Sequence, residues 1–273
     1  MNNYETFYQL HHNEQPFILA NAWNVKSAKI IEQNGYDAIG TSSGAISDSL
    51  GYADGEKIPF TELLYIVQRI TANVSIPVSV DFERGYTDNL DELTDNIQKL
   101  VDAGAVGINI EDAQGEELYL KKLYAIKNHL EKANQKLFIN ARTDGFLQKL
   151  DSPLALTINR ANSYQEASAD GLFVTGVADA TIIKEIASSV SLPLNIVGTP
   201  KLSSIKMLAD CGVKRISMAV FLYRAAYNQL DKIAKEVKVQ GCFRHPRPNV
   251  TESHREISGN IGQEGGRSSM YQY

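Results

Sequence analysis

The chain has 273 residues, 27 Lys and Arg against 32 Asp and Glu for a formal charge of −5, and 43% hydrophobic residues. That composition excludes a collagen, a coiled-coil rod and a wholly disordered chain, and the absence of a basic block removes the usual footprint of a nucleic-acid partner. No stretch approaches the roughly 18 apolar residues of a membrane span; the polar start at Met1 and the two unpaired-looking cysteines, Cys211 and Cys242, set the expectation of a cytoplasmic protein.

Short apolar, β-branched runs begin near residues 17, 38, 78, 107, 137, 171, 194 and 215. Several follow a small turn residue, as in Gly104-Ala105-Val106-Gly107-Ile108, and others follow a proline, as in Ile76-Pro77-Val78. Glycine closes a helix and proline is tolerated at the first residue of a strand, so both forms read as entries into strands. Between the runs lie amphipathic stretches such as 90–103, 118–133 and 154–167, with a last helix expected over about 220–239.

Strands alternating with helices imply parallel pairing, and eight such units close a (β/α)8 TIM-type barrel of the α/β class. The competitor, a doubly wound open sheet, needs a phosphate-binding Gly loop after strand one; Asn21-Ala22-Trp23-Asn24 stands there instead. The barrel is expected to fill residues 1–241. From 242 to 273 the chain turns rich in Pro, Gly, Ser and charge, which reads as a flexible polar tail or a segment that orders on a partner.

Active sites of such barrels lie at the C-terminal ends of the strands. Strand two ends in Thr41-Ser42-Ser43-Gly44, strand three in Asp81-Phe82-Glu83-Arg84-Gly85-Tyr86, strand four in Glu111-Asp112 and strand five in Asn140-Ala141-Arg142-Thr143-Asp144. Strand seven contributes Asn195. Asp81, Glu83 and Glu111 crowd one rim with no histidine nearby, a donor set that suits Mg2+ or Mn2+; the competing reading is that they cap helices or pair with Arg84 and Arg142. Arg142 either pairs with Glu111 or Asp144 or clamps a substrate anion. Ser42, Ser43 and Gly44 can offer amides and hydroxyls to an anion, and the long connection over 45–57 has the length of a lid.

Together these segments resemble the isocitrate lyase/phosphoenolpyruvate mutase superfamily over residues 17–241: Ser42-Ser43-Gly44, Leu50-Gly51-Tyr52-Ala53-Asp54, Asp81-Phe82-Glu83-Arg84-Gly85-Tyr86, Glu111-Asp112 and Ala141-Arg142-Thr143-Asp144 occur in the family's order. The resemblance implies a Mg2+-dependent enzyme acting on a small 2-oxo or 2-hydroxy carboxylate. It further implies Asp81 as direct metal ligand, Glu83 and Glu111 acting through waters, and Arg142 on substrate oxygens. Ser42, Ser43 and Gly44 would cradle a carboxylate, with Asn195 joining them, and Asp54 would lie on a gating loop. Homo-oligomers, dimers or tetramers, are the family's habit.

The chain departs from its relatives after strand four. Ala113-Gln114-Gly115-Glu116-Glu117 replaces the Lys-x-Cys-Gly-His of isocitrate and methylisocitrate lyases, and the Lys and Asn of the P–C branch are also missing. Candidates for proton transfer are then Tyr86, Tyr52, Asp54 and a metal-bound water. The resulting expectation is a Mg2+-dependent C–C lyase or decarboxylase working through an enolate. The alternatives are P–C bond chemistry and a non-catalytic carboxylate binder.

Overall fold

In the computed structural model, which describes residues 2–202 and 204–241, the expected eight strands form β1 (Phe17–Ala22), β2 (Ile39–Thr41), β3 (Val78–Asp81), β4 (Gly107–Glu111), β5 (Phe138–Thr143), β6 (Gly171–Val174), β7 (Leu194–Val197) and β8 (Val213–Ser217). They pair in parallel in chain order, and β8 closes on β1 with Arg215 opposite Phe17. The chain is therefore a (β/α)8 barrel.

The helices are α1 (Asn3–His12), α2 (Val25–Gln33), α3 (Ser43–Ser49), α4 (Phe60–Thr71), α5 (Leu90–Asp102) and α6 (Glu116–Lys132), followed by α7 (Pro153–Glu166), α8 (Ala180–Ser189), α9 (Ile205–Asp210) and α10 (Phe221–Gln240). Residues Met1–Tyr227 form one compact unit. A second begins at Asn228, and its described part is a helical run in which Leu230 and Val239 are exposed. The tail expected over 242–273 lies outside the described residues.

Two elements were not legible in advance. Helix α1 starts with a capping box, in which Asn2 and Glu5 satisfy each other's backbone amides, and it buries Phe7 against Phe17, Leu19 and Phe138 at the N-terminal end of the barrel. The connection after β2, expected as a loop, opens with α3 because Ser42 Oγ accepts the Ala45 amide and caps it.

Alternation along the strands sorts the core into two layers. On β4, Ile108 and Ile110 join the cluster that also holds Leu93, Ile97 and Leu123 of the surrounding helices, whereas Asn109 and Glu111 face inward. The barrel interior carries a polar layer, with Asn109, Asn140, Asn195, Arg215 and Ser217 all buried.

Candidate active site

A cavity of about 370 Å³ opens at the C-terminal ends of the strands. Its polar wall includes Ser42, Ser43, Gly44, Asp54, Asp81 and Arg142, and Phe173 and Leu147 stand on an apolar side. Barrel closure thus gathers side chains from β2, β3 and β5, as the strand-end reading anticipates.

Asp81 is oriented by β2 and the start of α3. Its Oδ2 accepts both the Ser43 amide (3.2 Å) and the Ser43 hydroxyl (2.7 Å), while its own amide donates to Thr41 Oγ1 (2.9 Å). Ser43 therefore spends its donors on Asp81 rather than on a ligand. Glu83 is buried with a left-handed backbone (φ 46°), and the Tyr86 hydroxyl donates to its Oε1 at 3.1 Å. Desolvation, followed by the charges of Asp81 and Asp54, pushes the Glu83 carboxyl up to about 8. Burial also raises Glu111, to about 7, although Arg142 pulls the other way.

Arg142 is held on both sides. Its Nε and Nη2 donate to the two oxygens of Asp144 (2.8 and 2.9 Å), and its Nη1 meets Glu111 Oε2 at 2.8 Å. Burial works against the charge, but Asp144 and Glu111 outweigh it and hold the guanidinium firmly protonated. Asp144 is anchored in turn: its amide donates to Asp112 Oδ1 (3.3 Å), and Asp112 is gripped by Arg160 Nη1 (2.7 Å) and the Tyr164 hydroxyl (2.6 Å) of α7. A chain of bonded groups from α7 through Asp112 and Asp144 thus fixes where Arg142 presents its remaining hydrogens.

The gating-loop expectation finds Asp54 on the cavity wall, where a Cβ on Gly44 would meet Asp54 Oδ1 at 3.3 Å. Glu56, which sequence reasoning passed over, fastens this connection to the β3 loop. It accepts the amides of Arg84 (2.7 Å) and Tyr86 (2.8 Å) and pairs with the Arg84 guanidinium (3.0 Å). Its only signal in the sequence was an acid within the long 45–57 connection.

Asn195 is not on the wall. It is fully buried, with its Oδ1 accepting from Ser217 Oγ at 3.1 Å, so its reach to a ligand is indirect through Ser217, which does line the cavity. Tyr86 acts on Glu83, and Tyr52 donates to Glu62 at 2.8 Å, away from the cavity wall. After β4 only residues 112–115 intervene before α6, and Asp112 is buried, so this connection supplies no acid or base to the mouth.

The profile of the phosphoenolpyruvate phosphomutase family matches residues 7–238. The chain belongs to that family. It is 36% identical over 233 residues to the uncharacterized protein Rv1998c of Mycobacterium tuberculosis, covering 85% of this chain and 88% of the relative. It is 29% identical to the oxaloacetate decarboxylase of Pseudomonas fluorescens (76% and 75% covered) and 24% identical to the 2-methylisocitrate lyase of Escherichia coli (82% and 79%). A phosphonopyruvate hydrolase solved with oxalate and Mg2+ superposes with a TM-score of 0.81 at 23% identity, covering 92% of this chain and 93% of that one, a likeness of fold. Members of the isocitrate lyase/phosphoenolpyruvate mutase superfamily thus include both C–C lyases and P–C enzymes.

The side chains present fit a divalent ion of the kind that keeps much of its water. Asp81, Glu83 and Glu111 are hard oxygen donors; among the described residues no cation contacts Glu83, whereas Glu111 is paired with Arg142. Among the described residues no three His, Cys, Asp or Glu side chains stand close enough to grip an ion directly. One direct carboxylate with others reaching through water is the arrangement Mg2+ and Mn2+ accept.

Proposed function

We propose that the chain is a Mg2+-dependent C–C lyase or decarboxylase that cleaves a small 2-oxo or 2-hydroxy carboxylate through an enolate. The observation that carries this reading is Arg142, locked by Asp144 and Glu111 on the cavity wall that also holds Asp81 and Ser42. Asp81 would hold the ion, with Glu83 and Glu111 reaching it through water. A bound divalent ion would polarise the substrate's 2-oxygen and favour negative charge there as the bond breaks.

The chain's own groups do the rest. Arg142 binds the head oxygens of the substrate and fixes their plane, Ser42 and Gly44 line the carboxylate's seat, and the 45–57 connection, with Asp54 inward, excludes water. Asp54, on the cavity wall, and Tyr86, whose hydroxyl donates to Glu83 at 3.1 Å, are the side chains put forward for proton transfer. The chain takes a small carboxylate as partner, has no nucleic-acid or membrane partner, and functions as a cytoplasmic homo-oligomer, dimer or tetramer.

Oxaloacetate, malates and alkylmalates incubated with pure protein and Mg2+ should release pyruvate or glyoxylate. Turnover no greater than that of Asp81→Ala would refute the reading. P–C chemistry is disfavoured by the short connection over 112–115, and a phosphorus NMR spectrum of a phosphonopyruvate incubation should stay unchanged.

A further inference from the structure

The cavity floor holds charge that the proposed mechanism does not use. Arg215 of β8 is fully buried and, among the described residues, forms an ion pair with no carboxylate. Its Nη2 donates to Asn109 Oδ1 (3.1 Å), its Nε to Ser217 Oγ (3.3 Å), and its Nη1 has no partner. Asn140 Nδ2 donates to the same Asn109 oxygen at 2.9 Å. A guanidinium can only donate, so Asn109 has one orientation, with Oδ1 taken twice and the Nδ2 hydrogens left over. Both Asn109 and Ser217 line the cavity.

Acids therefore stand at the mouth, and beneath the floor lies a guanidinium that, among the described residues, no carboxylate contacts. Arg142, the one basic residue on the wall among the described residues, is already committed to Asp144 and Glu111. At roughly 30 Å³ per water-sized group, the 370 Å³ cavity has room for about twelve such groups, more than a two-carbon head alone fills.

We propose that the floor is an oxyanion subsite in which Asn109 Nδ2 binds a second, distal carboxylate of the substrate, and that Arg215 beneath it makes the contact selective for an anion. This rests on the functional reading above, whose test substrates all carry a second carboxylate, and assigns the residues that would receive it. Asn109 is the contact and Arg215 a positioning residue. Stabilising a carboxylate in the ground state raises the barrier to losing it as CO2. The subsite therefore suits a substrate whose distal carboxylate stays on its fragment when the C–C bond breaks.

Calorimetric titration with two probes in Mg2+ tests this without turnover: oxalate, which has only the head, and 3,3-difluorooxaloacetate, which adds the second carboxylate. Asn109→Leu should weaken the diacid at least tenfold and oxalate less than twofold. Asn109→Asp keeps an acceptor for Arg215 and Asn140, so it should melt no lower than wild type, yet it should abolish the diacid's advantage over oxalate. Equal weakening of both probes, or none, in these folded variants would overturn the subsite. If wild type binds neither probe, the functional reading itself falls.

Discussion

Removing Arg160 tests whether the anchor behind Arg142 is built as described. The Asp112 side chain is 1% exposed and that of Arg160 11%, with 2.7 Å between charged atoms, so Arg160→Met leaves a buried carboxylate without a cation. Breaking a buried pair on one side costs about 3–5 kcal/mol, and the Tyr164 hydroxyl, still donating at 2.6 Å, favours the lower figure. In a unit of this size about 1 kcal/mol moves the melting temperature by roughly 2–4 °C, so the variant should melt about 6–20 °C lower. Thermal unfolding followed by circular dichroism measures this. Adding Asp112→Asn removes the stranded charge while keeping an acceptor for Tyr164 and the Asp144 amide, so the double variant should regain stability over Arg160→Met alone. A loss below about 1 kcal/mol, or strict additivity of the two substitutions, would refute the buried-pair account.

Three other outcomes are expected. Glu83 keeps a folded-state pKa near 8 against an ordinary 4.5, so the stability it contributes is fully present below about 4.5 and is lost as pH rises toward 8; Glu83→Gln should raise the melting temperature in EDTA at pH 8.5 and leave it near wild type at pH 5, and Mg2+ should shrink the difference. Ser43→Ala removes the 2.7 Å donation that orients Asp81, and outer-shell losses of this kind lower metal affinity about 10- to 100-fold, measurable by Mg2+ titration calorimetry. At Gly176 the backbone has φ +80° and a Cβ would lie 2.6 Å from the Leu147 nitrogen, so Gly176→Ala should cost about 1–3 kcal/mol in urea unfolding and displace the Leu147 side of the cavity.

The gathering of the strand ends at one mouth was legible in the sequence because the positions concerned follow strands directly. Asp81, Glu111 and Arg142 each end or adjoin an apolar run, and closing eight such runs into a cylinder brings their ends to one mouth whatever the helices do. Asn195 misled the same logic, since one residue along a strand decides whether a side chain reaches the cavity or the layer below. Helix α1 was silent because its burial depends on Phe17 and Phe138, partners distant in the chain.

The order of the strands and the barrel follow from local periodicity and turn chemistry, which neighbouring residues determine among themselves, while the family resemblance rests on the motif residues themselves. Which partner each polar group takes was decided only in three dimensions. Ser43 turns to Asp81, Asp144 binds Arg142 while its amide reaches Asp112, Glu56 crosses to the β3 loop, and Arg215 spans the interior to Asn109. These bonds join residues from 2 to 106 positions apart. A buried donor or acceptor must be satisfied by whatever the packed fold places within about 3 Å, and sequence separation does not enter that requirement.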